Sequence, residues 1–354
     1  MVSEKNIGVF TNPKHDLYVS EIETPGVEDL LDEEVLIHVR STGICGSDIH
    51  FQKHGCIGPT MVVESEHILG HESAGEVLAI GKKVTDLKVG DKVALEPGVP
   101  CHTCNPCLTG KYNGCENVEF CSTPPVHGFL RRYIKHPAAF CHKINSLGYL
   151  QGALLEPLSV VFCGIRHINL RLGQSVLICG AGPIGFATAK AAEAAGAYPI
   201  MVTDIEPSKL DFIKKEIPSA STALVNGSLE ENVQKVTGNG TNSFDVAIEC
   251  TGVESSLELA THALDFGAKL HIIGVGKNHQ TFPFMLLSVK EINITFQYRY
   301  ANTWPTVIKL VEAGIIKLDN LVTHRFKLED AAEAFKIAGN PKSGAMKVLI
   351  EDLE

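Results

Sequence analysis

Residues 175–204 read SVLICGAGPIGFATAKAAEAAGAYPIMVTD, and the fold of the chain turns on this stretch. Val176, Leu177, Ile178 and Cys179 form an unbroken apolar run ending on Gly180, the pattern of a short strand buried on both faces of a parallel sheet. The alanine-rich run from Ile184 to Ala195, interrupted by glycine only at Gly185, predicts a helix, with Gly196 placed to stop it. Pro199 to Thr203 then predicts a second strand. Gly180, Gly182 and Gly185, with Pro183 and Ile184 among them, make up the turn between the first strand and the helix. Glycines at this spacing permit a tight reversal, let the backbone approach a pyrophosphate and allow close helix-to-strand contact, while the helix N-terminus supplies N–H donors and a positive dipole end. Asp204 stands 19 residues after Gly185, where an acid can bond a ribose hydroxyl. The glycines alone fit an ordinary turn; strand, helix, strand and acid in order predict a dinucleotide-binding unit.

At 354 residues the chain is long for one core and predicts two domains. Its apolar share of 44% and charged share of 20% are those of a globular protein. A net charge of -10, with no long basic run, argues against a nucleic-acid partner, because phosphate binding needs concentrated Lys and Arg. No membrane-spanning run and no signal-length apolar stretch in MVSEKNIGVF are found, so a cytoplasmic chain with reduced thiols is expected. The triplets headed by Asn226, Asn239 and Asn293 are then chance matches to a glycosylation signal.

After Asp204 the strand–helix alternation continues. Residues 222–225, 244–249, 269–273 and 292–296 predict strands, and 207–216, 229–236 and 255–264 predict helices, which makes a doubly wound parallel α/β sheet. Before residue 175 the pattern differs: 16–21 and 33–40 alternate apolar and polar residues, as half-exposed antiparallel strands do. In RSTGICGSDIH, residues 40–50, glycines flank Cys45, and Ser47, Asp48 and His50 follow it; taken alone, Cys45 fits a buried structural thiol at least as well as a reactive one. Cys101, Cys104, Cys107 and Cys115 form C-x2-C-x2-C-x7-C, a spacing with which four thiolates can enclose one tetrahedral zinc ion and leave no position for substrate. Cys56, Cys121, Cys141, Cys163, Cys179 and Cys250 are scattered and read as core or incidental residues. Glu156, in LLEPLSV, is an acid among apolar neighbours; it fits a helix-start carboxylate or a buried acid that holds a metal or a partner. Arg299 and Tyr300, in FQYRYANTWP at 296–305, fit surface and core positions of a strand's exit, before a helix running to about residue 313.

Residues 69–84, LGHESAGEVLAIGKKV, carry G-H-E-x2-G-x5-G-x2-V on Gly70, His71, Glu72, Gly75, Gly81 and Val84. This resembles the zinc signature of the medium-chain dehydrogenase/reductase superfamily, and the likeness extends through VGDKV at 89–93, the four-cysteine loop and the glycine turn to nearly the whole chain. It implies a GroES-like, mostly β catalytic domain from residues 1–157 and 300–354, around a Rossmann NAD-binding domain at 158–299. Within the superfamily, FTNPKHDLYVSE at 10–21, FQKHGCIGP at 51–59, STPPVHG at 122–128, FQYRYANTWP and LVTHRF at 321–326 resemble the polyol dehydrogenases, and the fungal L-arabinitol dehydrogenases among them.

That resemblance implies an NAD-dependent enzyme with two zinc ions per chain. Cys45, His71 and Glu156 are the implied ligands of a catalytic zinc, with Glu72 beside it as an alternative or exchanging ligand, and Cys101, Cys104, Cys107 and Cys115 hold a structural one. Ser47 and His50 form the implied proton relay. Phe51, Thr123, Glu156, Arg299 and Tyr300 would line the polyol site, and Gly180, Gly182, Pro183, Ile184, Gly185, Asp204 and Lys209 would meet NAD. The implied reaction is oxidation of a polyol secondary alcohol to a ketose, L-arabinitol to L-xylulose first, with xylitol or D-sorbitol as alternatives, in a homotetramer. Phe51 departs from the animal sorbitol dehydrogenases, which have Tyr there and lack the four-cysteine loop. A zinc-free reductase and a non-enzymatic structural member are the rival classes; the joint presence of Cys45, His71 and Glu156 counts against the first.

Overall fold

The computed structural model describes residues 5–353; residues 1–4 and 354 lie outside them. The chain forms two units. One is built from the chain up to Glu156, Trp304–Glu312 and the chain from Leu321 onward; the other is Pro157–Thr303 with Ala313–Asn320. The sequence places the second crossing at residue 300; the structure places it at 303/304 and also gives 313–320 to the second unit.

The first unit is built on a seven-stranded sheet. Its longest strand, Glu34–Gly43, pairs antiparallel with Glu72–Ile80, Tyr133–Pro137 and Lys347–Glu351. The sequence predicts a half-exposed strand over 33–40, but Val35 to Val39 are all buried. With strands on both sides, its alternate residues face two different cores. Val35, Ile37 and Val39 pack with Val77, Val93, Leu95 and Phe129, while Leu36 packs with Ala79 and Tyr133. Leu17–Glu21 keeps the expected half-exposed character as the outer partner of Ile7–Thr11. Burying these four branched side chains at about 1.5–3 kcal/mol each is what anchors the central strand, and the loop at its end then carries Cys45.

The second unit is a six-stranded parallel sheet in the order 220–224, 200–204, 176–179, 244–249, 264–272, 293–296. Val176, Leu177, Ile178 and Cys179 have no solvent exposure, as an apolar run at the middle of a parallel sheet requires. The helix after the glycine turn spans Pro183–Ala194, with Gly182 as its N-cap and Pro183 in the first turn, where a missing N–H leaves no bond unmade. Gly196 has φ +77° and follows the helix end, the left-handed position glycine favours. The strand predicted over 269–273 is longer, Leu264–Ile272, and begins at the residue predicted to end the preceding helix. Strand order reverses between 176–179 and 244–249, which places a crevice outside the carboxyl ends of those two strands. Among the described residues no helix is long and apolar enough to cross a membrane.

Candidate functional site

Cys45 is the N-cap of the helix Gly46–His54, and Asp48, three residues on, returns its carboxylate to the Cys45 N–H at 2.9 Å. That i to i+3 bond is the backbone-facing half of a capping box, and it fixes the thiol at the helix start. His71 precedes the strand Glu72–Ile80, so the signature residues arrive on the neighbouring strand's first turn. The ligand atoms of Cys45, His71 and Glu72 lie within 4.8 Å of one another. One thiolate, one imidazole and one carboxylate suit a zinc ion with a position left open, so the donor set fits the metal.

Asp48 organises this set from behind. It is completely buried; its Oδ1 accepts from Gly70 N at 3.0 Å and from Ser122 Oγ at 3.0 Å, and faces His71 Nδ1 at 3.4 Å. Burial opposes its charge, yet the bonds and the facing imidazole hold the Asp48 pKa below the usual carboxylate value. Conversely, burial would lower the His71 pKa, but Asp48 and Cys45 hold it well above the usual value. With Nδ1 turned to Asp48, Nε2 is the nitrogen left for a metal, the arrangement in which an outer carboxylate orients a ligating histidine. Glu72 is likewise paired: it forms a buried ion pair with Lys347, whose pKa is raised by Glu72 and Cys45 against the effect of burial.

Of the two acids considered for the metal, Glu72 joins the set. Glu156, buried in the first turn of the helix Leu155–His167, stands outside it. Ser47 and His50 stand three residues apart on the helix Gly46–His54, neighbours on its surface. Ser47 Oγ lies 3.3 Å from His71 Nε2, and one turn on the exposed His50 ring lies 5.3 Å from that of His54. Phe51 shares the inward face with Asp48; it is 2% exposed and packs into a core with Val9, Phe10, Ile44 and Ile68, edge-on to His67. Thr123 is half-buried, its N–H donated to Phe120 O at 2.8 Å. Arg299 and Tyr300 belong to the second unit; Arg299 has φ +53° and sits over the Tyr298 ring at 4.8 Å, and Tyr300 is buried. Sequence reasoning assigned no role to Asp48 or Lys347. The capping-box spacing after Cys45 was the one local signal for Asp48, and Lys347 has none.

The four-cysteine loop closes on itself. Cys101, Cys104, Cys107 and Cys115 also bring their sulfurs within 4.8 Å of one another. Cys101 Sγ accepts from Cys104 N at 3.4 Å, Cys115 Sγ accepts from Cys101 N at 3.3 Å, and the bonds from Thr103 and Cys104 pull the Cys101 pKa down to about 5. All eleven cysteines are free thiols, and a closed set of four sulfurs fits a structural zinc.

In the second unit the three glycines have separate reasons. Gly180 has φ +104°, and a Cβ on Gly185 would sit 1.8 Å from Gly180 O, so both are demanded by the turn itself. A Cβ on Gly182 would meet nothing within 4 Å, so protein packing does not require glycine there. Both Asp204 oxygens are held by the backbone, Oδ2 accepting from Ala181 N at 2.7 Å and Oδ1 from Glu206 N at 2.9 Å. Lys209 is half-buried in the helix Pro207–Glu216.

Comparison with known proteins agrees with both units. Residues 31–146 match the family model "Alcohol dehydrogenase GroES-like domain" and residues 183–313 match "Zinc-binding dehydrogenase". An L-arabinitol 4-dehydrogenase of Hypocrea jecorina is 54% identical, over 99% of this chain and 94% of that protein, and a sorbitol dehydrogenase of Bos taurus is 41% identical over 90% and 89%. A solved oxidoreductase/dehydrogenase of unknown specificity from Escherichia coli superposes with a TM-score of 0.88 at 32% identity, covering 98% of this chain and 99% of that one. The chain therefore belongs to the zinc-binding medium-chain dehydrogenases, in their polyol dehydrogenase branch.

Proposed function

We propose that this chain oxidises a secondary alcohol of an acyclic polyol to the ketone, passing the hydride to NAD, and that L-arabinitol, giving L-xylulose, is its preferred substrate. The Cys45, His71 and Glu72 set, oriented from behind by Asp48, is the observation that carries the reaction class. Similarity to L-arabinitol 4-dehydrogenase over almost the full length supports the substrate. A zinc ion on this set supplies a Lewis acid that makes a hydroxyl acidic near neutral pH. The chain's part is positional: Asp48 holds the imidazole, Lys347 balances the Glu72 carboxylate, and Ser47, beside His71, takes the hydroxyl proton as it releases its own toward His50. Glu156, Phe51, Thr123, Arg299 and Tyr300 are assigned to the substrate.

NAD is assigned to Gly180, Gly182, Pro183, Ile184, Gly185, Asp204 and Lys209, and the domain division to the two units above. A second zinc is assigned to the four-cysteine loop. The chain is assigned to the cytoplasm and to a homotetramer; the apolar side chains that Phe284, Met285, Val289 and Phe296 expose support self-association. The test is NAD reduction by the zinc-loaded protein with L-arabinitol, xylitol, D-sorbitol and ribitol. The highest kcat/KM on L-arabinitol is expected; a higher value on D-sorbitol moves the assignment to a sorbitol dehydrogenase, and no turnover on any polyol refutes it.

A further inference from the structure

Glu249 is an acid with no solvent exposure at the carboxyl end of the strand Phe244–Glu249. It lies in register with Cys179, beside the point where strand order reverses and directly across from the glycine turn. Both of its carboxylate oxygens are engaged within the turn that follows. Oε1 accepts from Thr251 N at 2.7 Å and from the Thr251 hydroxyl, and Oε2 accepts from Gly252 N at 2.9 Å. Its backbone carbonyl takes Ile273 N at 2.8 Å and Gly274 N at 3.1 Å from the adjacent strand's exit. Around it the chain is packed to backbone contact. A Cβ on Gly274 would stand 2.6 Å from Glu249 Oε2 and 2.1 Å from Gly252 N, and one on Gly252, already at φ +73°, would stand 2.2 Å from Val275 O. Gln280 Nε2 donates to Gly252 O at 2.9 Å and closes the group. On the other side, the Thr251 methyl would lie 2.8 Å from a Cβ on Gly180, so the turn that Glu249 holds rests on the first glycine of the nucleotide turn.

We propose that Glu249 is a positioning residue for dinucleotide binding: its carboxylate fixes the Thr251–Gly252 turn and the loop at 274–276 as the second wall of the nucleotide crevice, opposite the Gly180–Gly185 turn. This rests on the NAD reading above. A buried carboxylate does here what a neutral side chain cannot, because both oxygens face N–H donors. In Glu249→Gln the amide NH2 must face one of those N–H groups, so one bond is lost and one donor is left without an acceptor. Losing a bond to a charged acceptor corresponds to roughly a tenfold change or more in an equilibrium that depends on it.

The test is calorimetric titration of wild type and variants with NAD and NADH, beside steady-state kinetics and thermal melting. Glu249→Gln is expected to weaken dinucleotide binding about tenfold and to raise the KM for NAD by a similar factor, with kcat at saturating NAD and the KM for polyol within about threefold. Thr251→Val, which removes only the hydroxyl donor, should weaken binding by a smaller factor and keeps the test open if the Gln variant does not fold. A Glu249→Gln protein that melts lower but binds NAD as wild type has Glu249 as a structural residue only, and overturns the proposal. So does a folded Thr251→Val protein of unchanged affinity when the Gln variant is insoluble. A wild-type chain that binds no dinucleotide overturns the NAD reading itself.

Discussion

Replacing Asp48 by Asn removes a charge and little else, so its consequences can be worked from four contacts. Oδ1 serves Gly70 N and the Ser122 hydroxyl and faces His71, and Oδ2 serves Cys45 N. The best amide orientation keeps oxygen at Oδ1 and points NH2 at the Cys45 N–H, two donors face to face. A lost bond to a charged acceptor and an orphaned buried donor together cost about 3–5 kcal/mol of folding stability. The orphaned donor belongs to Cys45 and the lost charge faced His71, so the damage falls on two of the three metal ligands. Zinc affinity at this set should fall by roughly 10–100-fold, the usual effect of losing an outer carboxylate behind a ligating histidine. Dialysis against a graded chelator, with zinc counted per chain, reads this directly: the variant should lose one zinc at lower chelator concentration than wild type and retain the other in the four-cysteine loop. If Asp48→Asn holds both ions as tightly as wild type, the claim that Asp48 orients the catalytic set is wrong.

Replacing Cys104 by Ser should remove one zinc and lower the melting temperature, while activity per folded molecule stays near wild type, since a closed metal site contributes folding energy; an unchanged melt would refute the structural site. Asp204→Ser with Ile205→Arg should shift the NADP-to-NAD ratio of kcat/KM upward, because unit charges about 4 Å apart repel by about 4 kcal/mol at an effective dielectric of 20 before salt screening; an unchanged ratio counts against Asp204 as the selector. Asp352 accepts from Arg132 at 2.8 Å and pairs with His38 at 2.9 Å; burial opposes its charge, but these partners hold its pKa below the usual 3.8. A depressed carboxylate contributes stability that is present above its unfolded value and lost as pH falls through the folded one. Asp352→Asn should therefore cost a few kcal/mol at pH 7, with the gap to wild type closing below about pH 3.8 in urea titrations; a gap independent of pH would remove the ion pair as its cause.

What was legible in the sequence followed from local constraint. The apolar run at 176–179, the glycine turn and the capping glycine at 196 are each determined by neighbours a few residues away, and so is the four-cysteine loop. The same holds for the helix Pro207–Glu216, whose bounds were read without error. What escaped was set by partners far along the chain. Asp48 is fixed by Gly70 and Ser122, 22 and 74 residues on, and Lys347 meets Glu72 only because the sheet brings the strand Lys347–Glu351 beside Glu34–Gly43. Glu249 looked like the end of an ordinary strand. The central strand's alternation suggests a half-exposed strand, although the unbroken Val35-Leu36-Ile37 run, with Leu36 packing into the second core, already marks burial on both faces. Resemblance offered Ser47 and His50 as a relay, and they stand one helical turn apart on Gly46–His54, Ser47 beside His71 and His50 beside His54.

The pairing of Glu34–Gly43 with Lys347–Glu351, tied further by His38 and Asp352, 314 residues apart, has a consequence for how the protein comes to exist. A ribosome that has made residues 34–80 has already produced Cys45, His71 and Glu72, yet Lys347, the cation that balances Glu72, emerges only after the whole second unit. The early β segment must wait, with one sheet edge open and a buried acid without its partner, while the second unit, Pro157–Thr303 with Ala313–Asn320, is completed before residue 347 is made. Closure of the first unit then depends on contacts of very long sequence separation, which form slowly. Catalytic competence is thus acquired last, and a chain cut short before residue 347 should fold its nucleotide unit while never completing the metal centre.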